Sequence, residues 1–453
     1  MLAKRLLKDS RLGLPLALLF AGSMWFYVQK VLIPHQEMYA AVHKRPRGNL
    51  SDLYPRWLGA RELLLHHRDP YSPEVTREIQ KGYYGRALDP DHAADPHADE
   101  PHANEPQADE PKTDEPKDQQ GFAYPVYVVF LLAPTVRLPF PVVQSGFRWL
   151  LLILTMVSVP LWLRVLRWRP PIAVTAILMI LTIGSFPVVQ GFKLQQLSLL
   201  VGGLIAACAA ALVAGYFSLA GFLLAVATIK PQLVVPMAGW LVVWAISDWK
   251  RRWHFVASLC ATAAVLFAAS EYVLPGWIGR FRDAVAAYRQ YTGGAGSLLD
   301  VLATPMLGRV IAAAAVIAVT VVCWRFRRVT HDSVAFGVIL ALVLAVTLMI
   351  LPTFAPYNQI LLLPGVFLVV FSWKSLWNRS RPARMACVVG ALVVFWPWLV
   401  TCGMMLAGRL LPLRLVEQAW AAPLYTSLAI PLIVLGLLSL CAIDSLRASP
   451  PST

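Results

Sequence analysis

Long apolar runs separated by short basic clusters dominate the chain. A membrane-spanning helix needs roughly 20 apolar residues, and the runs predict helices near residues 12–33, 143–163, 171–190, 196–215, 253–274, 309–324, 333–352, 359–373, 385–406 and 421–443. The first run follows a basic start and is too long for the core of a signal peptide, so we expect a retained transmembrane helix. The pattern therefore predicts an all-α, multi-pass integral membrane protein.

Two apolar stretches depart from this simple pattern. Residues 216–247 form one run that is broken by Lys230 and Pro231, which predicts two short helices with a turn between them because proline ends a helix. Residues 121–141 contain four prolines, which favours a shallow or re-entrant element, with a full crossing as the alternative. The resulting threading has about 12 crossings and places both termini in the cytoplasm.

Composition and charge agree with a membrane location. Of the 453 residues, 58% are hydrophobic and 14% are charged, whereas an ordinary soluble domain has about 25% charged residues. The net charge of +15 could indicate a nucleic-acid partner, but the basic residues lie in short loops between apolar runs, as in cytoplasmic loops. We therefore expect membrane lipids as surroundings, no nucleic-acid partner, and location in the cell's inner (plasma) membrane.

The threading divides the chain into four parts. These are a cytoplasmic N-terminus with the first helix (1–33), a large extracytoplasmic loop (34–121), a core transmembrane bundle (122–373) and C-terminal transmembrane helices (374–453). The core bundle also contributes a second outside loop, residues 275–308.

The large outside loop itself has two unlike parts. Residues 50–85 mix aromatic, basic and apolar residues and are expected to fold. Residues 89–120 form a repeat rich in proline and histidine that holds 11 of the 25 acids, and such a composition predicts disorder. We expect a solvated spacer and no metal site at His92, His97 and His102, because a flexible tract lacks fixed ligand geometry.

Acids available for chemistry are few outside this repeat. No predicted helix centre carries one, which argues against a proton-coupled or sodium-coupled transporter. Asp52, in the segment SDLYPRW of the first outside loop, could act as a general base toward a sugar hydroxyl. The alternative is that Asp52 caps the helix that Pro55 opens, and the sequence leaves both interpretations open.

Other polar residues are predicted on the same side of the membrane. Lys230 could meet a lipid-linked phosphate, or it could extend to the headgroups without a specific partner. Lys193, Gln195 and Gln196, in GFKLQQLS between two helices, add groups that could contact a phosphate or a sugar. The pair Tyr357 and Asn358 lies at the outer start of a late helix.

Five segments together resemble a known family. They are SDLYPRWLGARELLLHHRDPY, FAYPVYVVFLLAP, GFKLQQLSLL, LAGFLLAVATIKPQL and APYNQILLLP. In this order they resemble glycosyltransferase family 87, integral-membrane enzymes with the GT-C architecture. The resemblance spans roughly residues 10–375, with the acidic repeat as an insertion.

The resemblance implies a reaction and a set of residues. A hexose, expected to be mannose, would pass from a polyprenyl-phosphate donor to a glycan or lipid acceptor on the extracytoplasmic face. Asp52 matches the catalytic base of the family, and Lys230 corresponds to the phosphate-facing basic position. We expect further substrate contacts from Lys193, from Arg280 and Arg282 in the second outside loop, and from the polar residues named above.

No metal and no other cofactor is expected. Asp52 is followed by Leu53 and Tyr54 and lacks the second acid of the D-x-D pair found in some GT-C relatives, and a single lipid phosphate can leave without a metal ion. Two rival functions remain open from the sequence. One is a flippase or transporter of a lipid-linked sugar, and the other is a glycan ligase or polymerase that uses a polyprenyl-diphosphate donor.

Overall fold

The computed structural model describes residues 10–42, 51–84, 120–291, 296–352 and 355–447. Every regular element in these ranges is a helix, which confirms the predicted all-α class. The α-helices are α1 (Ser10–Tyr27), α2 (Ile33–Val42), α3 (Tyr54–His66), α4 (Pro73–Tyr84), α5 (Val128–Leu132), α6 (Phe140–Val165), α7 (Ile172–Ile183), α8 (Phe186–Lys193), α9 (Leu197–Val213), α10 (Phe217–Ala227), α11 (Pro231–Ile246), α12 (Trp249–Val273), α13 (Trp277–Tyr291), α14 (Leu298–Leu302), α15 (Pro305–Arg325), α16 (Val334–Ile350), α17 (Leu363–Phe371), α18 (Trp373–Arg379), α19 (Arg381–Leu410), α20 (Leu413–Glu417) and α21 (Ala429–Arg447). The acidic repeat and its three histidines lie outside the described residues, apart from Gln120.

Six helical stretches in the described ranges are long and apolar enough to cross a membrane. They are Leu12–Val42, Phe140–Val165, Trp249–Val273, Pro305–Arg325, Arg381–Leu410 and Leu413–Leu446. Two bent pairs bring the number to 8 if each pair is one span, and shorter apolar helices lie between them. The protein is therefore a multi-pass helical membrane protein, while the 12 predicted crossings stay a prediction.

The core of the bundle is formed by helices that are apolar on all sides. Every residue of α16 from Ala335 to Met349 is buried, and α9 is buried along most of its length. A helix without a polar face fits the middle of a bundle, where all its neighbours are other helices. Helices α6, α10, α11, α15, α17 and α21 pack around these two.

Breaks in the apolar helices follow proline and close contacts. The break predicted at Lys230 is confirmed, since α10 ends at Ala227 and α11 begins with Pro231 in its first turn. The single helix predicted over 171–190 is wrong, because α7 and α8 meet at an angle of 55°. Ser185 and Pro187 start a new helix there, and Gly184 allows the backbone of Ala21 in α1 to approach closely.

A second predicted helix is also corrected. The stretch 359–373 begins as the 3-10 helix Pro356–Leu362 and becomes α-helical only at Leu363. Each of these two helical segments has a proline in its first turn. Proline favours the beginning of a new helix there, because it has no N–H to donate to the preceding turn. As a result, Tyr357 and Asn358 lie on a tight turn that faces the interior of the bundle.

The first loop forms a two-helix unit that packs on the bundle. Arg68 pairs with Glu62 at 2.9 Å and with Glu78 at 2.7 Å, which joins α3 to α4. Trp57 is 4% exposed, and its indole N–H donates to the carbonyl oxygen of Thr135 at 3.2 Å. These contacts fix the start of α3, where Asp52 lies, against the bundle.

The packing of α10 on α12 depends on a glycine. A Cβ at Gly221 would collide with the carbonyl oxygen of Phe255 and lie 2.8 Å from the backbone nitrogen of Leu259. We expect Gly221→Ala to lower stability by about 1–3 kcal/mol, because an overpacked site must shift its neighbours. The apparent melting temperature of the purified protein in detergent measures this effect.

Gly239 provides the matched control for that experiment. It lies within α11 and a Cβ there would meet nothing within 4 Å, so Gly239→Ala should keep or raise the melting temperature, since alanine favours a helix by roughly 0.5–1 kcal/mol. Equal melting temperatures for the two variants would contradict the tight contact between α10 and α12.

Candidate active site

A cavity of about 1000 Å³ opens at one end of the bundle. It is lined by residues at the starts of α3, α9 and α11 and by residues of α13 to α15. Its lining includes charged and amide side chains as well as tyrosine rings. The residues that matter most for the chemistry are Asp52, Arg56, Gln196, Lys230, Arg282 and Asn358.

Asp52 is held through both its backbone and its side chain. Its N–H donates to the carbonyl oxygen of Leu194 at 2.9 Å, and its carbonyl oxygen accepts from Arg56 at 2.7 Å. The carboxylate accepts hydrogen bonds from the Gln196 amide and from the Tyr83 hydroxyl. The N-cap of α3 is Leu53, and no side chain caps this helix, so the alternative capping role of Asp52 is wrong.

The electrostatic environment of Asp52 favours a base that can take up a proton. Burial raises the pKa of Asp52 above its ordinary value, while the positive charges of Arg56 and Lys230 act in the opposite direction. A carboxylate with a raised pKa is a stronger base than one in water. The side chain still reaches the cavity surface, so a hydroxyl bound there can approach it.

Lys230 lies in the turn between α10 and α11 and is 6% exposed. Its ammonium donates to the hydroxyl of Ser198 at 2.6 Å and to the side-chain oxygen of Gln196 at 3.4 Å. The nitrogen also lies 5.1 Å from the ring centre of Tyr357. Burial lowers the pKa of Lys230, and Asp52 opposes this shift.

Gln196 connects the two charged residues. Its amide nitrogen faces the carboxylate of Asp52, and its oxygen faces the ammonium of Lys230. Only this orientation of the amide satisfies both neighbours, because a carboxylate accepts and an ammonium donates. Ser198 continues the network by donating to the side-chain oxygen of Asn358 at 2.7 Å.

The turn that presents Gln196 has an unusual backbone. Gln195 adopts a left-handed conformation with φ of 49°, which a non-glycine residue rarely adopts without local support. Its side-chain nitrogen supplies that support by donating to the carbonyl oxygens of Phe192 and Lys193 at 2.8 and 2.6 Å. Gln195 is fully buried, so it shapes the turn and does not line the cavity.

The structure separates the predicted site residues into two groups. Asp52, Lys230, Gln196, Tyr357 and Asn358 meet in one network at the cavity, and the exposed Arg282 of α13 lines the same cavity. The remaining three lie outside the cavity lining: Lys193 ends α8, Gln195 supports the turn, and Arg280 pairs with Asp69 at 2.6 Å. Direct substrate contact from these three is therefore not supported by the geometry.

Several residues of the site were not singled out by the sequence. Arg56 lines the cavity and follows Asp52 by four residues, a spacing that places both on one side of a helical turn, so the sequence pattern could have identified it. Ser198 does not line the cavity but contacts Lys230 and Asn358, and it follows Gln196 by two residues in the same segment. Asp300 in α14 and Arg309 in α15 also line the cavity, and no local pattern distinguishes them from other charged residues of the chain.

Within residues 10–42, 51–84, 120–291, 296–352 and 355–447, no group of three or more His, Cys, Asp or Glu side chains is placed to hold a metal ion. The expectation that the chemistry needs no metal rests on the sequence argument alone and stays a prediction.

The fold and the site together define a multi-pass membrane protein whose polar cavity pairs a carboxylate with a buried ammonium. The family model of glycosyltransferase family 87 matches residues 122–352, just over half of the chain. The chain therefore belongs to glycosyltransferase family 87 and is a membrane glycosyltransferase. No curated protein and no solved structure matches it.

The family match covers only part of the site. Gln196, Ser198 and Lys230 lie inside the matched range, whereas Asp52 and Asn358 lie outside it. The match therefore establishes the class of enzyme, and the roles of single residues depend on the geometry of the cavity.

Proposed function

We propose that the protein transfers a hexose, with mannose as the expected sugar, from a polyprenyl-phosphate donor to a hydroxyl of a glycan or lipid acceptor. Asp52 is the proposed general base, and Lys230 is the proposed partner of the leaving phosphate. The observation that carries this proposal is the Asp52–Gln196–Lys230 network at the cavity surface.

The proposed step is an in-line displacement at the anomeric carbon. The acceptor oxygen forms the new bond to this carbon while the bond from carbon to phosphate oxygen breaks, and polyprenyl phosphate leaves with the bonding electrons. Asp52 takes the proton from the acceptor hydroxyl as the oxygen attacks. Lys230 stabilises the negative charge that grows on the phosphate, and in a buried site such a charge contact is stronger than in water.

The hydrogen-bond network supports these two roles for a physical reason. A base and a cation that bind each other directly would neutralise each other and compete with the substrate. Gln196 holds the two groups apart while satisfying both. The carboxylate can then face the acceptor, and the ammonium can exchange a neutral partner for a phosphate oxygen.

The charge distribution supports an extracytoplasmic position for the cavity. Lys230 precedes α11 at the cavity, and Arg252 lies beyond the other end of this helix, where it donates to the carbonyl oxygen of Trp244 at 2.8 Å. Arg167 pairs with Asp332 at 3.1 Å in the loops that connect the bundle helices. Loops rich in Arg and Lys stay in the cytoplasm, so the cavity end of α11 is proposed to face the opposite side.

A transfer assay with a panel of donors tests the proposal. We expect the purified protein in lipid nanodiscs to transfer mannose from polyprenyl-phosphate mannose to a mannose-containing acceptor and to release polyprenyl phosphate. Nucleotide sugars and polyprenyl-diphosphate sugars should not serve as donors, because the proposed leaving group is a single lipid phosphate. Mass spectrometry of the acceptor and of the released lipid measures the result.

Two outcomes would contradict the proposed donor. Transfer from a nucleotide sugar would show that the enzyme does not require a lipid-linked donor. Movement of a fluorescent lipid-phosphate sugar across a liposome membrane, with no transfer to any acceptor, would favour the flippase.

A further inference from the structure

Arg148 and Lys193 form a pair of like charges beside the site but outside the cavity. Gln144 in α6 donates to the side-chain oxygen of Gln195 at 3.0 Å, which brings this face of α6 to the end of α8. Arg148 follows Gln144 by one helical turn, so it lies on the same face. Lys193 is two residues before Gln195, and the charge of Arg148 acts on it directly.

Neither cation has an acidic partner in the part of the chain that the structure describes. No ion pair or hydrogen bond from either head group is found there, and no carboxylate contributes to the electrostatic environment of Lys193. Both side chains are partly buried. Two partly buried like charges repel each other and lose part of their hydration, so an anion between or beside them would stabilise this arrangement.

The position of the pair on α6 indicates what kind of anion is available. Arg148 is the last charged residue before a run of 15 uncharged residues, Trp149–Leu163, in a candidate membrane span. Val142, Trp149 and Ile153 are 55%, 66% and 55% exposed along this helix. An exposed tryptophan beside a cation at the end of an apolar run is typical of the headgroup region of a bilayer.

We propose that Arg148 and Lys193 bind the phosphate headgroup of an anionic phospholipid, in the leaflet on the cavity side. Arginine offers a planar set of donors that matches two phosphate oxygens, and lysine adds a point charge. The exposed apolar side chains of α6 accommodate the acyl chains. Neither cation lines the cavity, so the occupant is a lipid of the surrounding membrane and is distinct from the sugar donor.

The bound lipid would stabilise the turn that carries Gln196. Lys193 ends α8, and the next residue, Leu194, accepts the hydrogen bond from the backbone N–H of Asp52 at 2.9 Å. Removing the repulsion between Arg148 and Lys193 therefore strengthens the segment to which Asp52 is attached. This inference does not depend on the identity of the sugar donor.

Lipid retention by the full-length protein tests the site. The wild type and the double variant Arg148→Gln/Lys193→Gln are reconstituted in equal parts of phosphatidylglycerol and phosphatidylcholine, extracted into mild detergent and weighed by native mass spectrometry. We expect the wild type to keep one phosphatidylglycerol molecule that the double variant loses. The exposed pair Lys374 and Arg381 provides a control, since Lys374→Gln/Arg381→Gln should keep that molecule.

Additional experiments distinguish the possible ligands that carry the phosphate. Arg148→Lys/Lys193→Arg keeps both charges and should keep the lipid, which guards against a loss caused by misfolding. Displacement of phosphatidylglycerol by polyprenyl phosphate would assign the pair to the donor path, and displacement by inorganic phosphate alone would show an ion site without lipid specificity. Either result, or equal retention by the double variant and the wild type, would overturn the proposal.

Discussion

Asp52→Asn should lower the rate of sugar transfer by about 10²–10⁴-fold, the range that a general base contributes. Asparagine has nearly the same shape as aspartate but cannot take the proton from the acceptor hydroxyl. The backbone contacts of residue 52 to Leu194 and Arg56 do not involve the carboxylate, so the fold should be kept. Turnover of polyprenyl-phosphate mannose by purified protein in nanodiscs measures the loss.

The pH dependence provides a second readout of the same residue. The base works only when it is ionised, so wild-type kcat/KM should fall as the pH decreases through the pKa of Asp52. Burial raises that pKa, so this fall in kcat/KM at low pH, the acid limb of the profile, should occur at a higher pH than the ordinary pKa of an aspartate. The limb should be absent from the residual activity of Asp52→Asn.

Glu74→Gln is the matched control for Asp52→Asn. Glu74 is an exposed acid in the first turn of α4, outside the cavity lining, and its conversion to an amide removes the same charge from the same loop. Near wild-type turnover is expected for this variant. Near wild-type turnover of Asp52→Asn, or equal losses in the two variants, would exclude Asp52 as the base.

Lys230→Met should lower kcat by about 10²–10³-fold, as expected when one group that stabilises a developing negative charge is removed. Methionine has a similar length and fills the same buried space without a charge. Ser198 keeps its hydrogen bond to Asn358, and Gln196 keeps its hydrogen bond to Asp52, so the cavity should keep its shape. Single-turnover rates with polyprenyl-phosphate mannose measure the chemical step.

A second effect of Lys230→Met distinguishes its electrostatic role from a structural one. The positive charge of Lys230 holds down the pKa of Asp52, and its removal should raise that pKa. The acid limb of kcat/KM should therefore move to higher pH in Lys230→Met. A merely structural role would lower the rate without this shift.

Lys81→Met is the control, since Lys81 is an exposed lysine of α4 outside the cavity lining. It should show neither a loss of kcat nor a shift of the acid limb. If Lys230→Met kept both kcat and the wild-type pH profile, Lys230 would not be the partner of the leaving phosphate. Apparent melting temperatures of all four variants show whether any loss of rate arises from unfolding.

The proposed site depends on contacts between distant parts of the chain. Asp52 and Gln196 are 144 positions apart, and Lys230 lies 34 positions beyond Gln196. The sequence placed all three on one side of the membrane through the distribution of basic loops. It could not show that Gln196 contacts both charged residues, because hydrogen bonds over such separations depend on how the helices pack.

Local rules explain which helix boundaries were predicted correctly. The break at Lys230 and Pro231 was predicted because proline ends a helix wherever the rest of the fold lies. The bend between α7 and α8 was missed, although Pro187 was visible, because the apolar run continues through it. The close approach of Ala21 to Gly184 brings α1 against this bend, and only packing reveals that contact.

The sequence by itself determined the class of protein, its all-α character and a short set of candidate acids and bases. These properties depend on the length of apolar runs and on the cost of placing charge in a bilayer, both of which are local. The tertiary structure alone decided that Asp52 is not the N-cap of α3, that Gln196 separates Asp52 from Lys230, and that Lys193, Gln195 and Arg280 lie outside the cavity. Those outcomes depend on which side chains meet when the helices pack, and the pattern along the chain does not contain that information.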